Sequence, residues 1–318
     1  MARFLPPQPS LDHLKNEAKA IHKAHQRKDP AACAPLRRVH RFRDASDQEI
    51  LAADVPLAEA QYHAYKGVWA VDIPRIFTIT ESAHRIHNPF TPEKLATLGA
   101  ALRLEPGTRV LDLGSGSGEM LCTWARDYAV SGTGIDMSPL FTQQAKLRAA
   151  ELGVADRVKF IHADAAGYVA EEKVGVAACV GATWIGGGVA GTIELLAKSL
   201  GTGGIILVGE PYWLQLPPTE EVAKGCGAGS ICDFLLLPEL LASFGNLDYD
   251  VVEMVLADQD SWDRYEAAKW LTMRRWLKTN PDDDFAKDVR AELTSAPQRY
   301  AKYAREYLGW GVFALISR

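Results

Sequence analysis

The chain has 318 residues, 47% hydrophobic and 24% charged, a soluble globular balance with length enough to bury a large core. No window approaches the apolar length of a membrane span, the first residues lack a signal peptide's apolar core, and five cysteines form no CxxC pair. The expectation is a protein of the reducing cytoplasm, with no membrane partner and no disulfide framework.

The net charge of −5 is unevenly spread, since residues 1–43 carry ten Lys and Arg against three Asp and Glu. A basic head on an acidic body is compatible with a nucleic-acid arm. It is equally the solvated face of a helix, because Leu11, Leu14, Ala18 and Ile21 recur at helical intervals with charges between them. Aromatic residues for base stacking are limited there to Phe4 and Phe42, which favours the helix reading. Further on, Ser46 followed by Glu49 predicts a capping box at a helix start. The stretches "LPPQPSLDHLKNEAKA" and "PLAEAQ" resemble a small helical module found at the front of some bacterial ankyrin-repeat proteins. That resemblance implies an accessory module, residues 1–70, without chemistry of its own.

From about Val71 the texture changes. The runs "RVLDLG", "SGTGID", "RVKFIHAD", "VGVAACVG", "GGIILVGE", "YDVVEMVLAD" and "GWGVFALISR" alternate with helix-length segments. Continuous apolar strands separated by helices predict an α/β fold with a mostly parallel sheet covered on both faces. The Pro- and Gly-rich segment at about 211–245 and the segment at about 258–308 read as lid insertions. The second contains an aromatic helix carrying Trp262, Tyr265, Lys269, Trp270, Arg274 and Trp276.

In "VLDLGSGSGEM" the first strand runs into three glycines, the expected strand ending at Leu113 and a helix starting near Ser117 or Gly118. Such a loop presents bare backbone N–H groups at the positive end of a helix to a ligand. The dinucleotide pattern G-x-G-x-x-G requires glycine at position 119, where this chain has glutamate, and a carboxylate there would repel a pyrophosphate. The stretch instead fits D-x-G-x-G-x-G. With "GIDMS", "HADAAGY" and "CVGATW" following in order, the chain resembles a class I S-adenosylmethionine (SAM)-dependent methyltransferase from about Val71 to residue 318. That implies a seven-stranded Rossmann-like sheet and SAM as cofactor. "IPRIFTITESAHRIHNPFTPEK", "CVGATWIGGG", "GEPYW" and "RYEAAKWLTMRRWL" further resemble a bacterial YjhP-like group of methyltransferases, a likeness that leaves the acceptor open.

The resemblance implies residue roles. Gly114, Gly116 and Gly118 would lie beneath the methionine part of SAM, with Asp112 on its amino group. Asp136 would accept from both ribose hydroxyls, Met137 would pack on the adenine, and Asp164 with Ala165 would meet the adenine edge. Cys179 and Gly181 would line the wall near the methyl group. Taken singly, Asp136 and Asp164 also read as turn or cap residues, Cys179 as a small buried hydrophobe, and His162 as a core histidine. Acceptor chemistry is expected at the carboxyl ends of strands four and five, where Trp184, Tyr212 and Trp213 would form an aromatic wall and Glu210 a base or counter-charge. The alternative for these is packing and capping. His84 and His87 would share a helix face in a segment that lids the cofactor. Two histidines without a third ligand do not make a metal site. Cys226 with Cys232 admits a metalloid reading, but the fuller cysteine set that such chemistry uses is absent.

The expected activity is methyl transfer to a small molecule. The alternatives are a nucleic-acid methyltransferase, disfavoured by "GATW" in place of a D/N-P-P-Y/F loop and by the acidic body, or a non-catalytic SAM-binding module. A dinucleotide oxidoreductase is a distant further alternative.

Overall fold

The computed structural model describes residues 21–36, 45–53 and 74–318. Contacts divide the chain into two compact units, Met1–Arg75 and Ile76–Arg318.

In the first unit, Ala32, Cys33, Leu36 and Ile50 form a small apolar cluster, joined through the His25 Nε2 contact to the Ile50 carbonyl at 2.8 Å. Ser46 caps the helix Asp47–Ala52, and Glu49 returns a carboxylate to the Ser46 N–H, so the capping box forms as expected. The two stretches resembling an ankyrin-associated module lie outside the described residues.

The second unit alternates strands and helices. Among the described residues its strands are β1 (Arg109–Leu113), β2 (Ser131–Asp136), β3 (Val158–His162), β4 (Val174–Val180), β5 (Leu200–Trp213), β6 (Tyr249–Leu256) and β7 (Leu308–Ser317). They form one sheet in the order β3-β2-β1-β4-β5-β7-β6. The pairs from β3 through β5 are parallel, while β7 runs antiparallel to both neighbours. Alternate residues face opposite sides, as the two-residue strand period requires. Val110, Val176, Ala178, Leu207 and Val312 enter one core, and Leu111, Ala177, Ile206, Val208 and Phe313 the other.

Helices close both faces. Two short elements precede β1: α1 (Arg75–Glu81) and α2 (Pro92–Ala101). Next come α3 (Glu119–Tyr128), α4 (Pro139–Glu151) and α5 (Val189–Ala197). Leu95 and Leu98 of α2, Leu121 and Trp124 of α3, and Ala145 and Ala149 of α4 cover the first face. Ile193 and Leu196 of α5, with Leu240 and Phe244 of α7 (Leu237–Asn246), cover the second. The short α6 (Glu220–Gly225) lies in the segment after β5.

Between β6 and β7 the chain forms α8 (Gln259–Thr279) and α9 (Ala286–Lys302). These make a separate core in which Ile79 of α1 packs with Met273, Leu277, Val289 and Ala296. The chain steps outward from β1 to β3, then returns to place β4 on the other side of β1. That reversal opens a crevice at the carboxyl ends of β1 and β4, where open α/β sheets bind ligands.

Candidate active site

The loop after β1 is shaped by three glycines with positive φ, each admitting a different neighbour. A Cβ on Gly114 would stand 2.8 Å from the Ala182 Cβ in the loop after β4. On Gly116 it would meet the His87 imidazole at 2.9 Å, and on Gly118 the Phe160 ring and Ala145. So Gly114 and Gly116 let two chain segments close on the loop, while Gly118 lets α3 settle against β3 and α4. Gly114 and Ser115 both donate backbone N–H groups to the Ile135 carbonyl, which ties the loop to β2.

Two carboxylates stand at the strand ends. Asp112 is almost fully buried, and its Oδ1 has no hydrogen-bond partner among the described residues. Burial first, and the neighbouring Asp136 second, push its pKa up to about 7. Asp136 accepts backbone N–H groups from Gly116 and Ser138, each at 2.8 Å. Burial raises its pKa, and those two donors oppose the rise.

Beyond it, the Met137 carbonyl lies 3.0 Å from His162 Nε2. His162 is exposed at the end of β3, not in the core as expected, because its side chain points past the strand edge to this carbonyl. Asp164 is exposed and accepts from Ala166 N–H in a tight turn, while Ala165 beside it is buried.

At the end of β4, Cys179 is fully buried, and burial with nearby Asp112 raises its thiol pKa. Gly181 donates to the Gly209 carbonyl. Thr183 Oγ1 donates to Glu210 Oε2 at 2.7 Å, and burial lifts Glu210 to about 7 against that bond. The expected aromatic wall is not a single surface. Tyr212 shares the Glu210 face of β5 but is buried against Gly309; Trp213 points to the opposite side, into a cluster with Ala223, Cys226 and Leu308. Trp184 is 53% exposed. Cys226 is buried in that apolar cluster, and burial raises its thiol to about 11, whereas Cys232 is exposed.

A cover lies over the glycine loop. α1 ends at Glu81, so His84 and His87 sit in a turn and not on a helix face. Ser117 Oγ donates to Gln144 Oε1 at 2.7 Å, and Gln144 Nε2 donates to the Ser82 carbonyl at 2.9 Å. His87 Nε2 lies 3.0 Å from Ser117 Oγ and 3.3 Å from the His84 carbonyl. Those neighbours place a proton on Nε2, and burial holds His87 neutral by lowering its pKa to about 4. The His87 ring also packs edge-on against Phe141 at 4.2 Å.

A family model described as a methyltransferase domain matches residues 110–204. Over 248 residues the chain is 74% identical to the uncharacterised protein YjhP of Escherichia coli K12, a match covering 78% of this chain and 100% of that protein. Among solved structures, it is 82% identical to a SAM-dependent methyltransferase from Geobacter sulfurreducens in complex with S-adenosyl-L-homocysteine (SAH). That match has a TM-score of 0.77 and covers 78% of this chain and all of the other. A corresponding complex from Thiobacillus denitrificans is 77% identical, with the same TM-score and coverage. The chain belongs to the SAM-dependent methyltransferases.

The site of this methyltransferase suits the cofactor on its own terms. SAM offers an ammonium and two ribose hydroxyls, all donors, and no phosphate. The residues present supply an orphaned buried acceptor in Asp112 and spare lone pairs on Asp136. The Glu119 carboxylate is not the bare charge expected to repel a pyrophosphate. Arg148 grips that carboxylate with two bonds of 2.8 Å, so its charge is neutralised between α3 and α4. The dinucleotide pattern still lacks its third glycine at position 119.

Sequence reasoning missed the Ser117–Gln144–Ser82 chain and the buried Glu81. The residue types carry no motif, and their meeting depends on how α1 and its turn fold back.

Proposed function

We propose that this methyltransferase acts on a small-molecule acceptor, and that the site residues divide into a cofactor half and an acceptor half. When bound, SAM supplies a methyl group activated by the positive sulfur. In the cofactor half, Asp112 takes the amino group and Asp136 the ribose hydroxyls. Gly114, Gly116 and Gly118 shape the loop beneath, Met137, Asp164 and Ala165 border the adenine, and Cys179 and Gly181 back the methyl side. In the acceptor half, Trp184 forms an apolar rim and Glu210 orients the acceptor. Thr183 engages one oxygen of that carboxyl, which suits holding a ligand better than shuttling a proton. Tyr212 acts from behind, buttressing the strand end that carries Glu210.

The observation that carries this reading is the cover. Residues 82–87 are bonded to Ser117 of the glycine loop and to Gln144, which supports an acceptor small enough to fit beneath them with water kept out. A small molecule meets that constraint and a duplex does not. The acidic balance of the chain adds to the argument, because a polyanion is repelled.

The test is incubation of the full chain with methyl-labelled SAM and, separately, a low-molecular-weight metabolite extract, duplex DNA and total RNA. Label is expected in the metabolite fraction. Label in nucleic acid alone would overturn the small-molecule reading, and no label in any arm would favour a SAM-binding module.

A further inference from the structure

A second group of polar side chains lies beside the cover. Glu81, the last residue of α1, has no exposed surface. Its Oε1 accepts from the Tyr265 hydroxyl at 2.9 Å and stands 3.5 Å from Lys269 Nζ. Lys269 also pairs with Glu266 at 2.8 Å and lies over the Tyr265 ring, 3.9 Å from its centroid. The other oxygen, Glu81 Oε2, lies 3.4 Å from His84 Nδ1, whose ring packs edge-on against Tyr265. Burial and the nearby Glu81 raise the Tyr265 pKa, so its hydroxyl keeps its proton and donates.

Two buried atoms in this group, His84 Nε2 and Trp262 Nε1, lack any polar partner among the described residues, while Glu81 Oε2 has only its 3.4 Å contact with His84 Nδ1. Unsatisfied buried polar atoms are costly and uncommon in native proteins, so an unpartnered histidine nitrogen in this turn calls for a ligand. The tautomer of His84 follows from its neighbours. Nδ1 faces two oxygens, the Thr80 carbonyl at 3.2 Å and Glu81 Oε2, and therefore carries the proton. Nε2 is left with a lone pair that has no hydrogen-bond partner among the described residues. An imidazole backed by a buried carboxylate, with its far nitrogen free, is the arrangement of a proton acceptor. Glu81 and Glu266 both lie against Lys269, at 3.5 and 2.8 Å.

The turn that carries His84 is also the cover of the cofactor loop. The His84 carbonyl faces His87 Nε2, and His87 lies against Gly116. We propose that His84, positioned by Glu81, takes the proton from the methyl acceptor, whose attacking atom is therefore a proton-bearing nitrogen or oxygen. This rests on the reading that the acceptor meets the cofactor beneath residues 82–87. In the step, the acceptor's lone pair forms a bond to the methyl carbon while the carbon–sulfur bond breaks and its pair stays on sulfur. The proton left on the acceptor passes to His84 Nε2, Glu81 balances the new charge, and solvent removes the proton afterwards.

The test needs no acceptor. Sinefungin, a SAM analogue in which a CH–NH3⁺ group replaces S⁺–CH3, puts N–H donors at the methyl position facing the acceptor side; SAH has none there. Calorimetric titration of the full chain should show SAH affinity within about twofold of wild type for His84→Gln and Glu81→Gln. Sinefungin affinity should fall about tenfold in both, as expected for a lost charge-assisted hydrogen bond. Equal losses for the two ligands would mean a structural role, and an unchanged ratio would remove His84 from the reacting centre; either overturns the proposal. If those variants fail to fold, Tyr265→Phe removes the donor to Glu81 without vacating space. A selective loss of about threefold for sinefungin is then expected, and none would overturn the proposal. A wild type that binds both ligands but labels only nucleic acid defeats the small-molecule reading without changing this ratio.

Discussion

Asp112 shows how one position serves a ligand at the expense of the fold. Its carboxyl is buried with a free oxygen and a pKa near 7, well above the usual carboxylate range. The folded protein therefore holds a proton between about pH 4 and 7 that the unfolded chain has released. Stability of the ligand-free protein should fall as pH rises through that window, because the native state binds more protons there. Asp112→Asn should remove this dependence, making the protein more stable than wild type at pH 8 by a difference on the order of 4 kcal/mol that closes near pH 4. The same variant should bind SAH about tenfold more weakly at pH 8, since the ammonium loses a charged partner. Thermal melts across pH and calorimetry read both effects; parallel pH profiles for the two proteins would show that Asp112 ionises normally. The sequence marked Asp112 through its motif, but not that its partner is missing, because burial depends on strands brought in from both sides.

At the level of elements, the glycine loop makes two claims that substitution separates. Gly114→Ala sets a methyl against Ala182 at a positive φ, forcing the loops after β1 and β4 apart. Gly118→Ala sets one against Phe160 and Ala145, forcing α3 off the sheet. Gly114→Ala should weaken SAH binding more than it lowers stability, whereas Gly118→Ala should cost stability first, by about 1–3 kcal/mol of overpacking. Melting curves with and without SAH separate the two; matched changes in both variants would mean that the loop acts as one rigid unit. Strand order, the first helix start and the long aromatic helix were all legible, since each rests on local periodicity. The turn at 82–90 was not. A helical spacing of His84 and His87 suggested a shared face, yet the helix ends at Glu81 and the turn is held by Ser117, Gln144 and His87.

For the whole molecule, the expectation of a separable head can be tested directly. Ile76–Arg318 contains the sheet and its cores, and relatives matched along their full length cover 78% of this chain. A chain beginning at residue 74 should unfold cooperatively and bind SAH as the full chain does, as compact units with their own cores do. Non-cooperative melting of the shorter chain would make the head part of the main fold. The amino-acid sequence by itself determined the strand and helix order, the glycine loop, its departure from the dinucleotide pattern and the basic head, because each is written in neighbouring residues as period, turn chemistry or charge. Only the tertiary structure decided which side chains share a face and which polar atoms are left without partners. It turned Trp213 away from Tyr212, neutralised Glu119 with Arg148, and gathered Glu81, His84, Tyr265 and Lys269 from elements nearly two hundred residues apart. The physical reason is that burial and hydrogen-bond satisfaction belong to the packed chain, and no local window of residues contains them.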